Sequence, residues 1–452
     1  MEKVVSPWRT FAIACVAVFL VSIDSTVLYA AFPALRAAFP SASAADLSWV
    51  LNAYTVVFAA LLVPAGRLAD LRGRKRMFLV GTGTFLAASL ACGLAGTVEA
   101  LVIARMVQAI GAALLLPASL AIVLAAFPVT RRAVVVAMWG AVSGLAAAIG
   151  PSLGSQLVEH FGWEWAFFVN LPIGGVALWR AARSLGESKN PENGAPLDLV
   201  GVVLVVIGVG AIALGLVHSE AAGWGSPSVL GSLAGGLAAI ALFVVWARRV
   251  KSPAIDLSLF ENRTYRYINV ATLTFGIGFA MMFFSFFQFM TGIWHYSVAK
   301  AGLAAAPGPL FVVPTSIVCG RIAARAGHKT LLVLGALVFG GGALWLASVP
   351  GTEPNFLGAW FPGMVMTGIG TGMVMPSLSG AAVAKLPPAR FGIGSAVNQA
   401  VRQVGSVLGV ALAVVLVGRA PTLGAFHSVF LWQLGFALAT ALLCLPVDTR
   451  PR

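Results

Sequence analysis

Gly66-Arg67-Leu68-Ala69-Asp70-Leu71-Arg72-Gly73-Arg74-Lys75 is a charge-dense stretch between two long apolar runs, and it recurs as Gly320-Arg321-Ile322-Ala323-Ala324-Arg325-Ala326-Gly327-His328-Lys329. Seven of the ten positions are identical or conservatively replaced. A repeat at this separation means that one structural unit is used twice, and it constrains architecture before any single residue does. The first copy follows the second apolar segment of the chain and the other follows the tenth. Each therefore sits between the second and third segments of a six-segment unit.

The segments around the repeat are apolar throughout. Of 452 residues 59% are hydrophobic and 10% charged, where soluble domains carry about a quarter charged. The 50 glycines and 24 prolines lie inside the apolar runs, as membrane helices permit, so the chain is not a low-complexity one. A spanning helix needs about 20 mostly apolar residues. Breaks at charged or turn-rich positions give fourteen such segments, at 8–34, 47–70, 76–97, 99–127, 133–159, 163–183, 197–218, 227–247, 266–291, 299–324, 328–349, 355–384, 390–418 and 425–446. The first, preceded by Lys3 and Arg9, resembles a signal peptide, but it contains Asp24 and feeds directly into the second segment.

The expected fold class is thus an all-α membrane protein: fourteen transmembrane helices, two six-helix bundles in parallel pseudo-twofold repeat, and an inserted pair between them. The domains read as 1–185, a linker with two extra helices at 186–262, and 263–452. Parallel halves place a substrate site near midplane between them.

Basic residues orient the spans. Of 29 Lys and Arg, Arg105 and Arg402 fall within spans and Arg36, Lys300 and Arg419 on one face, which leaves 24 on the other. Such asymmetry places both termini in the cytoplasm and explains the net charge of +14 by anionic headgroups rather than nucleic acid. Cys15, Cys92, Cys319 and Cys444 are scattered singly and read as small core residues, with no disulfide framework or metal site.

The loop Gly66 to Lys75 resembles the signature loop of the major facilitator superfamily. Gly144-Leu145-Ala146-Ala147-Ala148-Ile149-Gly150-Pro151-Ser152-Leu153-Gly154 resembles the antiporter motif of its fifth helix. With Asp24-Ser25-Thr26-Val27, Ala31-Phe32-Pro33, the stretch Gly162-Trp163-Glu164-Trp165-Ala166-Phe167-Phe168-Val169-Asn170-Leu171-Pro172 and Arg402-Gln403-Val404-Gly405, essentially the whole chain is similar to the drug:proton antiporter family with fourteen helices. Tyr29 and Ser155 depart from that family's Asn and Gly. The resemblance implies a proton-coupled exporter of amphipathic small molecules, cationic ones included, working by alternating access in a bacterial plasma membrane. It implies a monomer that uses the proton gradient in place of a cofactor, with small molecules, protons and lipids as its partners.

Particular residues carry the chemistry. Asp24 is the one acid placed deep in a span, where a charge costs about 2.5–3.5 kcal/mol on insertion scales, so it is expected to face a cavity and to exchange a proton against substrate. Arg105 is expected to control that carboxyl or to snorkel from the outer end of its span. Arg402, too deep to snorkel, is expected to pair with Asp24, to contact substrate, or to brace its helix. Gly66, Asp70, Gly73 and Arg74 are expected to form a conformational latch, a charged loop that binds a neighbouring helix end in one state. Gly66, Gly73, Gly144, Gly150 and Gly154 suggest close helix approach, and Pro151 a kink. Cavity candidates are Asn52, Tyr54, Gln108, Trp139, Gln288 and Asn398, since polar side chains within spans face protein or water. Met281, Met282 and the phenylalanines from Phe283 read as lipid-facing or packing residues in preference to a drug-binding box.

Gly150-Pro151-Ser152-Leu153-Gly154 matches G-x-S-x-G, but no strand precedes it, as a nucleophile elbow requires. There is no phosphate-binding glycine loop followed by Lys and Ser or Thr. A membrane-embedded enzyme or a channel is therefore disfavoured. A lipid or metabolite transporter of the same fold, by export or uptake symport, is the nearer alternative.

Overall fold

The computed structural model describes residues 6–188, 198–387, 390–418 and 421–449. Lys3 and Arg419 lie outside them, as do the side chains of Gly144 and Ala324. Among the described residues the chain forms sixteen α-helices. They are α1 (Pro7–Ala38), α2 (Ala44–Arg72), α3 (Arg74–Gly93), α4 (Val98–Ala126), α5 (Val129–Phe161), α6 (Trp165–Phe168), α7 (Asn170–Ser184), α8 (Leu199–Ala222), α9 (Pro227–Ala247), α10 (Arg263–Gly292), α11 (Val298–Ala305), α12 (Pro307–Ala326), α13 (Lys329–Ser348), α14 (Phe361–Val383), α15 (Phe391–Val417) and α16 (Leu423–Cys444).

Sixteen helices supply fourteen crossings, because the sixth and tenth expected spans are each divided. Proline divides them: Pro307 cannot donate to the Leu303 carbonyl, nor Pro172 to that of Phe168, so the ladder breaks and restarts. Among the described residues eleven helical stretches are long and apolar enough to cross a membrane. The other crossings, α5, α6 with α7, and α14, take their place from the repeat. Polar N-caps start many of the helices. At α2 the Ser43 hydroxyl accepts from Asp46 N at 3.0 Å, while the Asp46 carboxylate accepts from Ser43 N at 3.1 Å.

The repeat seen in the loops extends into the packing. Gly66, Gly73, Gly81 and Phe85 recur at a constant offset as Gly320, Gly327, Gly335 and Phe339. Gly81 lies against Gly111 across the α3/α4 crossing: a Cβ on Gly81 would stand 2.9 Å from the Gly111 carbonyl, and one on Gly111 2.5 Å from Phe85 N. Gly335 and Gly370 repeat this across α13 and α14, with a Cβ on Gly370 placed 2.6 Å from Phe339 N. Likewise Gly150 and Gly154 of α5 press on Thr26 and Val27 of α1, while Gly405 and Gly409 of α15 press on the Leu273 and Ile277 carbonyls of α10. Lipid gives helices no hydrophobic reason to associate, so contacts of this closeness are what hold each bundle together.

The halves meet at the end opposite the Asp70 loop. Phe32 of α1 lies 4.9 Å from Phe284 of α10, and Tyr29 5.9 Å from Phe283. The Glu159 carboxylate at the end of α5 accepts the Ala299 N–H at the start of α11, and Ser152 Oγ donates to Gly302 O at 3.3 Å. On the other flank α2 packs on α15, and α8 of the inserted pair packs on both. Met281, Met282, Phe284, Phe286 and Phe287 are buried in this core. The phenylalanine run is therefore packing rather than lipid-facing surface. All four cysteines are buried and free.

Candidate functional site at the Asp24 and Arg105 pair

Asp24 lies midway along α1 and is 1% exposed. Its carboxylate is held by three donors from two other helices. Arg105 Nη1 donates to Oδ2 at 2.6 Å, and Oδ1 accepts from Gln108 Nε2 at 2.8 Å and from Asn170 Nδ2 at 3.0 Å. Arg105 and Gln108 share a face of α4 at i, i+3, and Asn170 opens α7. Gln108 and Asn170 also reach the Ser89 hydroxyl of α3, at 2.8 and 3.4 Å.

The guanidinium is enclosed as tightly. Arg105 is 1% exposed, donates through Nε to the Val50 carbonyl of α2 at 3.0 Å, and lies 4.1 Å over the Tyr54 ring. Two charges removed from water cost several kcal/mol each, and only good geometry with further hydrogen bonds offsets this. The three donors on Asp24 supply it. Arg105 does not snorkel to an interface, and Asp24 faces its partners rather than an open cavity.

The other expected residues are distributed around this core. Arg402 of α15 does not pair with Asp24: Nη2 donates to Gln399 Oε1 at 2.6 Å and Nη1 to Met375 Sδ of α14 at 3.6 Å. Asn398 Nδ2 binds Asn269 and Thr272 of α10, at 3.1 and 2.9 Å, and Trp139 Nε1 binds the Ser119 hydroxyl at 3.0 Å. Both side chains brace neighbouring helices. The Asn52 amide and the Tyr54 hydroxyl are buried without hydrogen-bond partners. Gln288 lines a cavity of about 350 Å³ between the halves, with Pro33, Arg36, Thr291 and Pro421.

At the repeated loop Asp70 Oδ1 accepts from Arg74 Nε at 3.0 Å and Nη2 at 2.9 Å. Gly73 between them has φ 111°, a conformation that only glycine takes readily, and a Cβ there would stand 2.6 Å from the Glu187 carboxyl. Glu187 accepts from Lys75 N and Arg76 N at 3.1 Å each, and so caps the positive end of α3. Arg67 Nη1 reaches the Ser252 carbonyl at 3.2 Å. The loop is thus tied to the segment before the inserted pair and to the one after it. Gly66 supplies no close approach, since a Cβ there would meet Pro117 at an ordinary 3.5 Å. In α5 the helix runs on through Pro151, whose carbonyl would lie 2.7 Å from a Cβ on Gly302.

Sequence reasoning missed Ser89, Asn170 and Glu187. The one available signal was that Asn170 is a polar residue within the expected span 163–183. Serines are common in spans and an exposed Glu in a loop is ordinary.

Two six-helix bundles, an enclosed ion pair in the first and contacts that join the halves across one end are the architecture of a membrane transporter. The chain belongs to the Major Facilitator Superfamily, whose family model matches residues 14–206, 198–409 and 268–452. It is 30% identical over 400 residues to the multidrug transporter protein MdtP of Bacillus subtilis, covering 88% of this chain and 73% of that one. It is 34% identical over 422 residues to the cephamycin export protein CmcT of Amycolatopsis lactamdurans, covering 92% and 86%. A mutant of the peptide transporter POT, crystallised in complex with sulfate, superposes with a TM-score of 0.68 at 18% identity, covering 97% of this chain and 93% of that one. At that identity the likeness is one of fold.

Proposed function

We propose that the protein exports amphipathic small molecules across a bacterial plasma membrane in exchange for protons, with Asp24 as the group that alternates between a proton and its bonded partners. The observation that carries this is the enclosed carboxylate shared by Arg105, Gln108 and Asn170. Protonating Asp24 removes the charge that holds these donors, and it frees Arg105 to rearrange with α4. Loss of the proton restores the clamp. A group bonded differently in two states gives a proton the differential affinity needed to shift a conformational equilibrium.

The relatives support export: one is a multidrug transporter and the other exports cephamycin. The basic residues support a cytoplasmic location for the termini and for the Asp70 loop. On that reading the end closed by Phe32, Phe284, Glu159 and Ala299 faces outward, and the Asp70 to Arg74 loop acts as the latch of the cytoplasmic end. A potential of 100 mV supplies about 2.3 kcal/mol per charge moved, enough for roughly a 50-fold gradient. The proton gradient is then a sufficient energy source without a cofactor.

The test is accumulation of fluorescent amphipathic compounds by inverted vesicles under an imposed acid-inside gradient. The proposal expects accumulation that nigericin abolishes. Accumulation that persists with the gradient collapsed would contradict it.

A further inference from the structure

Away from their ends, the described spans carry three charged side chains: Asp24, Arg105 and Arg402. Asp24 and Arg105 cancel each other at 2.6 Å. Arg402 is left over, so the interior has a net positive charge. Its contacts are the neutral amide of Gln399 and the thioether of Met375, and a thioether is a weak acceptor. Among the described residues it forms no ion pair.

Arg402 lies in the middle of α15, where its backbone is pinned: a Cβ on Gly276 of α10 would stand 2.9 Å from the Arg402 carbonyl. The side chain cannot reach an interface from there, yet it is partly exposed. Exposure to lipid at that depth is strongly unfavourable for a guanidinium, so a charge held there calls for a polar partner from within the protein or from what it carries. Gln399, one turn earlier, fixes one arm and leaves other N–H donors available. A fixed, planar, permanently charged fork of donors suits an oxyanion better than any other ligand.

We propose that Arg402 is the recognition point for an anionic group, a carboxylate or comparable oxyanion, on the transported molecule. This rests on the exporter reading above and sharpens it. Arg105 already neutralises Asp24, so the interior offers an uncompensated charge to an anion and none to a cation. One proton moving in against one monoanion moving out also transfers two positive charges inward, so export of such a substrate draws on the membrane potential twice.

The test is equilibrium binding to the purified full-length protein, without a gradient, of 1-pyrenebutyrate and of its methyl ester. The ratio of the two affinities is compared in the wild type, Arg402→Gln and Arg402→Lys. The ratio should favour the carboxylate in the wild type, fall by about tenfold or more in Arg402→Gln, and be partly kept in Arg402→Lys. On the wild type alone, 1-naphthoate should displace pyrenebutyrate where 1-naphthamide does not, which reads the same preference without any substitution. An unchanged ratio in Arg402→Gln, equal displacement by acid and amide, or no saturable carboxylate binding by the wild type would overturn the assignment. If the ratio depends on Arg402 but no compound is driven by a proton gradient, the exporter reading falls and the anion site stands. Gradient-driven transport without carboxylate preference overturns the anion site and leaves the exporter reading in place.

Discussion

Asp24 of α1 and Arg105 of α4 meet at 2.6 Å with each side chain 1% exposed. Such a pair is weak evidence of stability gained, but removing one member leaves a bare charge in the interior. Arg105→Ala should therefore destabilise the protein by about 3–5 kcal/mol, and the neutral double variant Asp24→Asn with Arg105→Gln by much less. Thermal unfolding of the purified variants decides this. Equal losses in the two would show that the charges are not coupled.

The α1/α5 contact should tolerate nothing larger than glycine at position 154. A Cβ there would stand 2.9 Å from the Cα of Val27, and backbone cannot move aside as a side chain can. Gly154→Ala should lower thermal stability and transport together, whereas Gly83→Ala, where a Cβ meets nothing within 4 Å, should leave both unchanged. A Gly154→Ala protein as stable as the wild type would argue against close packing at this crossing.

The Gly73 conformation and the Glu187 cap make separable predictions. Gly73→Ala introduces backbone strain of about 1–3 kcal/mol and also crowds Glu187. Glu187→Ala removes only the cap. Both should slow turnover more than they weaken substrate affinity, Gly73→Ala the more severely, as measured by initial transport rates against equilibrium binding. A larger effect on binding than on turnover would count against a latch.

His328 precedes α13 at the position that Arg74 holds in the first half. Burial pushes its imidazole below the usual 6.5, its Nδ1 has no partner, and its ring lies against Gly380 of α14. The unfolded chain binds the proton near pH 6.5 and the folded one only lower. Unfolding therefore takes up protons in that window, and stability falls as pH drops below about 6.5. His328→Gln should flatten this part of the stability profile measured by thermal unfolding between neutral and mildly acid pH. A slope unchanged by the substitution would assign it to other groups.

Much of this architecture was legible because its constraints are local. The loops at Gly66 and Gly320 announce the repeat within ten residues each, and a lone Asp24 in an apolar run is conspicuous. What could not be read depends on helix rotation and on contacts distant in sequence. That Arg105 turns toward Asp24 rather than the interface, and that Ser89 and Asn170 complete the cluster, requires knowing which faces of α1, α3, α4 and α7 meet. Arg402 is a candidate partner for Asp24 by depth alone, because sequence gives depth but not direction. The divided sixth and tenth crossings are masked by hydropathy, which averages over Pro172 and Pro307.

If Asp24 couples the proton to transport, paired assays in proteoliposomes will separate substrate movement from its coupling. Asp24→Asn should retain substrate exchange between equal pools while losing accumulation driven by a pH gradient. Gradient-driven accumulation at the wild-type rate in Asp24→Asn would show that the proton is coupled elsewhere in the protein.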